Sequence, residues 1–436
     1  MKKFVSVILI VFFFTGSSFA LISDRVKFEQ GELKSNLEKD FFRDLDKGTL
    51  SSHDFYDAFL IASGITDPAE FASRKNRLVN IREKAVQELG SVKDENQKAK
   101  NLLLWLHDNV LRKYVSSATL ASDILDKGQY NCLSASILYA VLANDIGLDV
   151  KGVIVKDHAF CMLESSDGET DIETTIRYGF SPGTEEIQQL KEVTHYIYVP
   201  KKEYARRRTV TILQLIGAMY SNLAGAVNRA EGEEEKIDCT DSLPKYKKGY
   251  YFDQGSIVFK TDIEACLNNM AIKLLETKEF EQVYVYIRQA KAFDPSNEDF
   301  KNLEKKMFSE RADAEIKNGN FEKGVSYVRS ALIIYPSDEK LVNNLAYCYV
   351  SWGNSYFEKQ GYEEAAQKFA EGLKEVPKNE VLLEGARAAY YNSAVAQYNK
   401  RDFKRAEMFA DKGLDISGED KELQKIKQAS VDAQRQ

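Results

Sequence analysis

Four series of residues recur in the C-terminal part of the chain at a constant interval of about 41 residues, within the range of periods that stacked repeat proteins show. Three of the seven prolines stand in one of these series, which makes coincidence a poor explanation. A fixed interval of this length indicates tandem units that stack, because no unit can bury its apolar face alone. The series are Pro295, Pro336, Pro377 and Gly418; Phe280, Phe321, Tyr362 and Phe403; Ala290, Ala331, Gly372 and Gly413; and Ala271, Ala312, Gly353 and Ala394.

Each unit has the pattern of a helix pair. Small residues stand where two helices would cross, an aromatic residue follows the turn between them, and proline ends the second helix. We predict four units over residues 262–418 and a capping helix over 419–436. The units resemble the tetratricopeptide (TPR) repeat, whose usual period is about 34 residues. The additional residues amount to nearly two helical turns, so a helix can lengthen without rotating its buried face.

The resemblance implies an all-α TPR-like solenoid whose groove binds a protein or peptide partner. Polar residues on the predicted first helices are candidates for contacts with a peptide backbone. The alternative is that they are ordinary surface residues without a ligand. These candidates are Asn268, Asn269, Asn354 and Asn392.

The first twenty residues have the pattern of a secretory signal peptide. A basic start at Met1–Lys3 precedes an apolar run, Phe4–Thr15, and then small residues with Ser18 and Ala20 at the cleavage positions. The apolar run is too short to span a bilayer, and no cysteine near the cut offers a site for lipid attachment. We expect residues 1–20 to be removed and the mature chain, without a transmembrane segment, to be periplasmic or secreted.

Charge, motifs and cysteine spacing indicate which partners, cofactors and disulfides are not expected. Loss of Lys2 and Lys3 takes the formal net charge from −7 to −9, which makes nucleic acid a poor partner. No glycine-rich nucleotide loop or dinucleotide fingerprint occurs, so we expect no cofactor. The cysteines are odd in number and widely scattered, which indicates no required disulfide. They are Cys132, Cys161, Cys239, Cys266 and Cys348.

The stretch from Gly128 to Thr175 contains the residues whose side chains could take part in catalysis. Its pattern predicts a half-buried helix opened by Cys132, then two strands, the second of which begins at His158. A cysteine in the first turn of a helix is favoured as thiolate by the helix dipole. A histidine on a neighbouring strand can take the proton of the cysteine thiol, and an acid at Asp171 or Glu173 can orient the imidazole.

Each of these residues alone has an ordinary structural explanation. Cysteine is among the residue types most often buried, and a single histidine is usually a hydrogen-bonded structural residue. The ordered set of Cys132, His158 and a following acid favours catalysis. A metal site is disfavoured, because no second cysteine or histidine stands at ligand spacing.

Three short motifs resemble the transglutaminase-like (papain-like) cysteine superfamily, particularly its bacterial members with helical repeats. They are Tyr130-Asn131-Cys132-Leu133-Ser134-Ala135-Ser136, Asp157-His158-Ala159-Phe160 and Ile172-Glu173-Thr174-Thr175. The resemblance implies an α+β domain with Cys132 as nucleophile, His158 as base and Glu173 as orienting acid. The family acid is usually an aspartate before proline. Here a glutamate precedes Thr174, and Asp171, two residues earlier on an extended strand, remains the alternative acid.

The remaining segments are expected to support this core. We predict an N-terminal helical region at 21–113, a catalytic core at 114–210, and a helix with an irregular connector at 211–261. Helices are expected over Asp54–Ala62, Pro68–Leu89 and Asn96–Tyr114. An acyl-transfer enzyme also needs donors for the developing oxyanion. The Cys132 backbone N–H is one candidate, and the Gln129 side chain is the second, with Asn131 as its alternative.

These features together predict an exported cysteine acyl-transfer enzyme with a partner-binding TPR array. The Cys132 thiolate would attack a carboxamide or peptide carbonyl, and hydrolysis is favoured over transamidation in a dilute exported compartment. The competing hypothesis is a non-enzymatic interaction or scaffold protein with a degenerate transglutaminase-like domain. The glutamate in place of aspartate and the size of the repeat region favour that alternative.

Overall fold

The computed structural model describes residues 28–46, 50–155, 158–194, 207–228 and 239–435. The predicted signal peptide lies outside these residues. The described chain is largely helical with a small antiparallel sheet, and it divides into two compact units, Met1–Cys266 and Leu267–Gln436. Over the described ranges, no helix combines the length and apolar character needed to cross a lipid bilayer.

The first unit alternates helices with short strands. Its elements are α1 Asn36–Asp46, α2 Phe55–Ala62, α3 Pro68–Leu89, α4 Glu95–Asn109, β1 Lys113–Tyr114, α5 Ala121–Lys127, β2 Gln129–Tyr130, α6 Cys132–Asp145, β3 Val150–Val155, β4 His158–Ser165, β5 Gly168–Ile172, α7 Thr184–Thr194, β6 Arg208–Val210, α8 Ile212–Gly217, α9 Met219–Asn228 and α10 Cys239–Phe252. A further helix, α11 Ile257–Glu276, contains the division between the units.

Two sheets position the ends of these elements. The larger sheet has the order β5-β4-β3-β6, and every neighbouring pair in it is antiparallel. Val155, the last residue of β3, pairs with His158, the first residue of β4. His158 therefore lies at the end of an inner strand of the sheet. The strands β1 and β2 form a separate parallel pair in which Tyr114 lies opposite Tyr130.

Helix α6 is the centre of the first unit. All its residues from Leu133 to Ala143 are buried, so the expectation of a half-buried helix was wrong. The physical reason is that β3 and β4 pack against it together with α2, α3, α4 and α8. A helix covered all round tolerates an apolar surface all round. Cys132, its first residue, is only partly buried and lies where this covering ends.

The N-terminal helices follow their capping signals. The predicted span Pro68–Leu89 is confirmed as α3, and the side chain of its cap, Asp67, accepts from the Glu70 backbone N–H at 2.8 Å. Helix α4 ends at Asn109, before the predicted end at Tyr114. Tyr114 instead enters β1, because backbone pairing with β2 replaces the helical hydrogen bonds there.

The region expected to be an irregular connector contains α10, and that expectation needs correction. Proline, glycine and tyrosine suggested loops, but Pro244 lies inside the helix, and Tyr251 and Phe252 are buried. Gly249 permits close packing, since a Cβ there would lie 2.3 Å from the Phe259 ring. Burial of large aromatic side chains therefore outweighs low helix propensity.

The second unit consists of helix pairs in the predicted phase. Its helices after α11 are α12 Phe280–Phe293, α13 Glu298–Lys317, α14 Phe321–Ile334, α15 Glu339–Phe357, α16 Tyr362–Glu375, α17 Glu380–Asn399, α18 Phe403–Ser417 and α19 Lys421–Gln434. The aromatic residue of each unit begins the second helix. The first helices α13, α15 and α17 and the capping helix α19 start one repeat interval apart. The side chains that cap them occupy the same position in the repeat: Asn297, Asp338, Asn379 and Asp420.

Small residues of the repeat lie at close helix contacts. A Cβ on Gly353 of α15 would be 2.6 Å from the Phe369 ring of α16, well inside van der Waals contact. Phe369 and Tyr349 belong to one continuous apolar cluster of this unit. The interval seen in the sequence thus repeats a packing arrangement as well as a chain pattern.

Candidate active site

The start of α6 is held by its N-cap, Asn131. The Asn131 Oδ1 atom accepts from the backbone N–H groups of Leu133 and Ser134 at 3.0 and 2.9 Å, and the Ser134 hydroxyl accepts from the Asn131 N–H at 3.0 Å. Its Nδ2 donates to Thr119 Oγ1 at 2.7 Å. Asn131 is therefore buried and occupied as a cap, which removes it as the alternative oxyanion donor. It fixes Cys132 at the positive end of the helix.

His158 forms a buried pair with one of the other predicted catalytic residues and interacts electrostatically with the other. Its Nε2 lies 2.8 Å from Glu173 Oε2, and the two side chains are 1% and 0% exposed. The Cys132 side chain is near enough to the imidazole to affect its pKa. Burial lowers the pKa of His158, but the Glu173 carboxylate and the Cys132 side chain outweigh it and raise the pKa to about 10. The ring is therefore an imidazolium at neutral pH.

Glu173 is held from both sides. Its second oxygen, Oε1, accepts from the Thr175 hydroxyl at 2.6 Å and from the Thr175 backbone N–H at 3.1 Å. Its backbone N–H donates to the Gly179 carbonyl at 2.8 Å. A Cβ on Gly179 would lie 2.0 Å from the Glu173 carbonyl oxygen, so this tight return of the chain requires glycine. The carboxylate consequently has one orientation, toward His158.

Asp171 is occupied elsewhere. Its two carboxylate oxygens accept from Arg207 Nη2 and Nη1 at 2.6 and 2.8 Å, and both side chains are buried. The guanidinium also lies over the Phe160 ring, 4.9 Å from its centre. Strand register explains the difference between the acids: Asp171 pairs with Met162, further along β4 from His158. The geometry thus favours Glu173 over Asp171 as the histidine's partner.

A second group of side chains supports the segment that follows Glu173. The Ser136 hydroxyl, one helical turn after Cys132, lies 2.7 Å from the Thr174 hydroxyl. His107 Nε2 lies 3.1 Å from the Thr174 carbonyl oxygen, and the Tyr130 hydroxyl donates to the Thr175 carbonyl at 3.2 Å. These contacts tie helices α4 and α6 and strand β2 to the acid. Periodicity and motif spacing give no indication that His107, Tyr130 or Ser136 supports this segment.

The donors available for an oxyanion are less sharply defined. Gln129 lies half-buried in β2, shortly before Cys132, and its backbone pairs with Lys113. Tyr114, beside it in the same small sheet, is close enough to the site that burial and the negative charges of Cys132 and Glu173 raise its pKa. The chain pattern predicts Tyr114 at the end of a helix and gives no indication that it lies near Cys132.

The candidate partner-binding residues lie on first helices of the repeat. Asn269 and Asn354 are exposed, whereas Asn268 and Asn392 are half-buried. They belong to α11, α15 and α17. Their partial exposure is compatible with either a ligand contact or plain surface.

Metal-ligand geometry and the comparisons with known proteins give no further indication of function for the described residues. Among the described side chains, no three of His, Cys, Asp or Glu gather as metal ligands would. No protein-family model matches the chain, and no curated protein matches it.

Proposed function

We propose that the chain is an exported cysteine acyl-transfer enzyme of the transglutaminase-like type, with a TPR-like array that recruits a protein or peptide. The observation that supports this most directly is the position of His158, which lies 2.8 Å from Glu173 and near enough to Cys132 for that side chain to raise its pKa. A thiol, an imidazole and a carboxylate in this order are the parts of a nucleophilic triad.

The proposed reaction uses the charges of this group. The Cys132 thiolate attacks a carboxamide or peptide carbonyl, and the His158 imidazolium gives its proton to the departing amine, which leaves an acyl-thioester. His158, now neutral, takes a proton from water as the oxygen attacks the thioester carbon. The carboxylic acid leaves, and the thiolate–imidazolium pair is restored. Glu173 stays ionised throughout and stabilises the imidazolium.

Hydrolysis is the favoured outcome of the second step. Water is abundant in a dilute exported compartment, and an amine must be bound before it can compete for the thioester.

In this proposal the second unit recruits the protein or peptide partner. Its first helices offer Asn269 and Asn354 as exposed side chains for a peptide backbone.

The test is the alkylation of Cys132 by iodoacetamide, followed by mass spectrometry of the peptide that contains it. An ordinary thiol, with a reference pKa of about 8.5, becomes roughly 50-fold more reactive between pH 6.5 and 8.5. For a thiolate already paired with His158 we expect less than about a threefold change over that range. The buried cysteines, such as Cys161 and Cys348, serve as internal controls.

The variant His158→Ala completes this experiment. Without the imidazolium, Cys132 should regain the steep pH dependence of an ordinary thiol and react at least about tenfold more slowly at pH 6.5. If wild-type Cys132 alkylates no faster than the same peptide in unfolded protein, the enzyme proposal fails. That result would favour the alternative, an interaction protein with a degenerate domain.

A further inference from the structure

A cleft of about 300 Å³ opens in the first unit between α3, α5 and the segment that follows α4. It involves none of the three predicted catalytic residues. Its size suits a ligand of one or two amino-acid residues, since pockets for larger organic ligands begin near this volume. The lining residues are Arg77, Asn80, Ile81, Asn109, Val110, Arg112, Ile124, Leu125, Asp126, Lys127 and Gly128.

The lining is positive although the chain as a whole is acidic. Three of its side chains are cationic and one, Asp126, is anionic, against a formal net charge of −7 for the whole protein. Arg77 Nη1 donates to Asp126 at 2.6 Å, so the negative charge of that carboxylate is paired with Arg77. Within the described ranges, neither Arg112 nor Lys127 lies within ion-pair distance of an acidic side chain. Two cations thus remain available to an anionic ligand.

The remaining lining is suited to a peptide. Ile81, Val110 and Ile124 supply apolar surface, and the Asn80 amide can both donate and accept hydrogen bonds. Asn109 Nδ2 donates to the Trp105 carbonyl at 2.9 Å, and its Oδ1 can accept from a ligand. Bare inorganic anions need no apolar contact. A short peptide carries a carboxylate, amide groups and small apolar side chains in one molecule.

We propose that this cleft binds the terminal carboxylate of a short peptide, with Arg112 and Lys127 as the principal charged contacts. Arginine presents parallel N–H donors that match the two oxygens of a carboxylate. The Arg112 side chain lies across Gly128, where a Cβ would be 2.7 Å from its Cγ. The carbons of the Arg112 side chain therefore lie against Gly128, which is itself a lining residue of the cleft.

The test measures binding directly and does not depend on turnover. Calorimetry with the Cys132→Ala protein would compare N-acetyl-Ala-Ala with its C-terminal amide. We expect the acid to bind at least about tenfold more tightly, because only the acid forms charge-assisted hydrogen bonds. In Arg112→Gln, which keeps the carbons packed over Gly128, the affinity for the acid should fall toward that of the amide, and Lys127 should account for the preference that is left.

A matched control is Lys84→Gln, which removes the same charge from an exposed position of α3 outside the cleft and should leave binding unchanged. Lys127→Gln gives a second, independent loss of affinity if Arg112→Gln proves unstable. Equal binding of acid and amide, no binding of either, or binding of inorganic phosphate alone would overturn the proposal. None of these outcomes bears on the reactivity of Cys132, so the cleft and the proposed reaction can fail separately.

Discussion

His107 and His158 lie in the same unit, yet their surroundings shift their protonation in opposite directions. Burial lowers the pKa of His107, and its hydrogen bond to the Thr174 carbonyl only partly offsets this. His158 is more deeply buried, but the Glu173 carboxylate and Cys132 raise its pKa to about 10. The presence of a bonded anion, and not the degree of burial, therefore decides which histidine carries charge at neutral pH.

This contrast predicts the titration of both rings. Because the pKa of His158 is raised from 6.5, its charged form should persist through neutral pH and be lost only as the pH rises through about 10. His107, whose pKa is lowered, should already be neutral at pH 6.5. NMR of ¹³C-labelled histidine can follow both, since the chain contains only four histidines. Loss of the His158 charge between pH 6 and 7 would contradict the ion pair.

The two neighbouring acids should separate reactivity from stability. Glu173→Gln removes the charge that supports the His158 imidazolium, so Cys132 alkylation at pH 6.5 should fall at least about tenfold. His158 can then lose its proton, so this variant leaves no unpaired charge buried. Asp171→Asn leaves the buried Arg207 without its anion and should lower the free energy of unfolding by about 3 kcal/mol. Alkylation kinetics and denaturant unfolding of both variants measure this crossover. A loss of Cys132 reactivity in folded Asp171→Asn alone would reverse the assignment of the acid.

The residues that were predictable from the chain are those close together in sequence. Cys132, His158 and Glu173 lie within one short stretch, and a helix start followed by two strands brings such residues near one another. The supporting contacts of Tyr114, Arg207 and His107 depend on packing between distant segments. Helix and strand periodicity carries no information about which distant side chains meet, so these contacts appear only in the folded structure.

At the scale of elements, capping signals were reliable and composition was not. Asp67 before Pro68 placed the start of α3, because a side-chain acceptor and a preset φ angle act locally. Residues around Pro244 appeared loop-like, yet α10 forms there because its aromatic face is buried. Local chemistry therefore predicts where a helix can start. Tertiary burial decides whether an unfavourable segment becomes a helix at all.

The contact between α15 and α16 gives a prediction for the repeats. Gly353→Leu places a side chain where even a Cβ is 2.6 Å from Phe369, and overpacking of this kind typically costs about 1–3 kcal/mol. The melting transition of the second unit should therefore fall by several degrees. Asn354→Leu, an exposed neighbour on the same helix, is the matched control and should leave it unchanged. Equal melting of the two variants would mean that this helix contact does not limit stability.

At the scale of the whole molecule, the chain divides near residue 266, and each part has its own apolar interior. The repeated series of proline, aromatic and small residues predicted the helical phase of the second unit, since each step repeats the same contacts. Nothing comparable marks the first unit, whose sheet order β5-β4-β3-β6 depends on long-range pairing. In folded Gly353→Leu protein, we expect the Cys132 alkylation rate to equal that of the wild type. If the Cys132 alkylation rate instead changed over the same temperature range as the second unit melts, the two units would unfold together.

The first helices α13, α15 and α17 and the capping helix α19 each begin with a side-chain cap, and each second helix begins with its own aromatic residue. A tandem duplication or loss of one whole repeat would therefore leave every remaining helix with intact start signals. The array can change length in whole steps without the invention of new turns. The length of surface that the array would offer to the proposed partner is thus a property that evolution, or an engineer, can adjust.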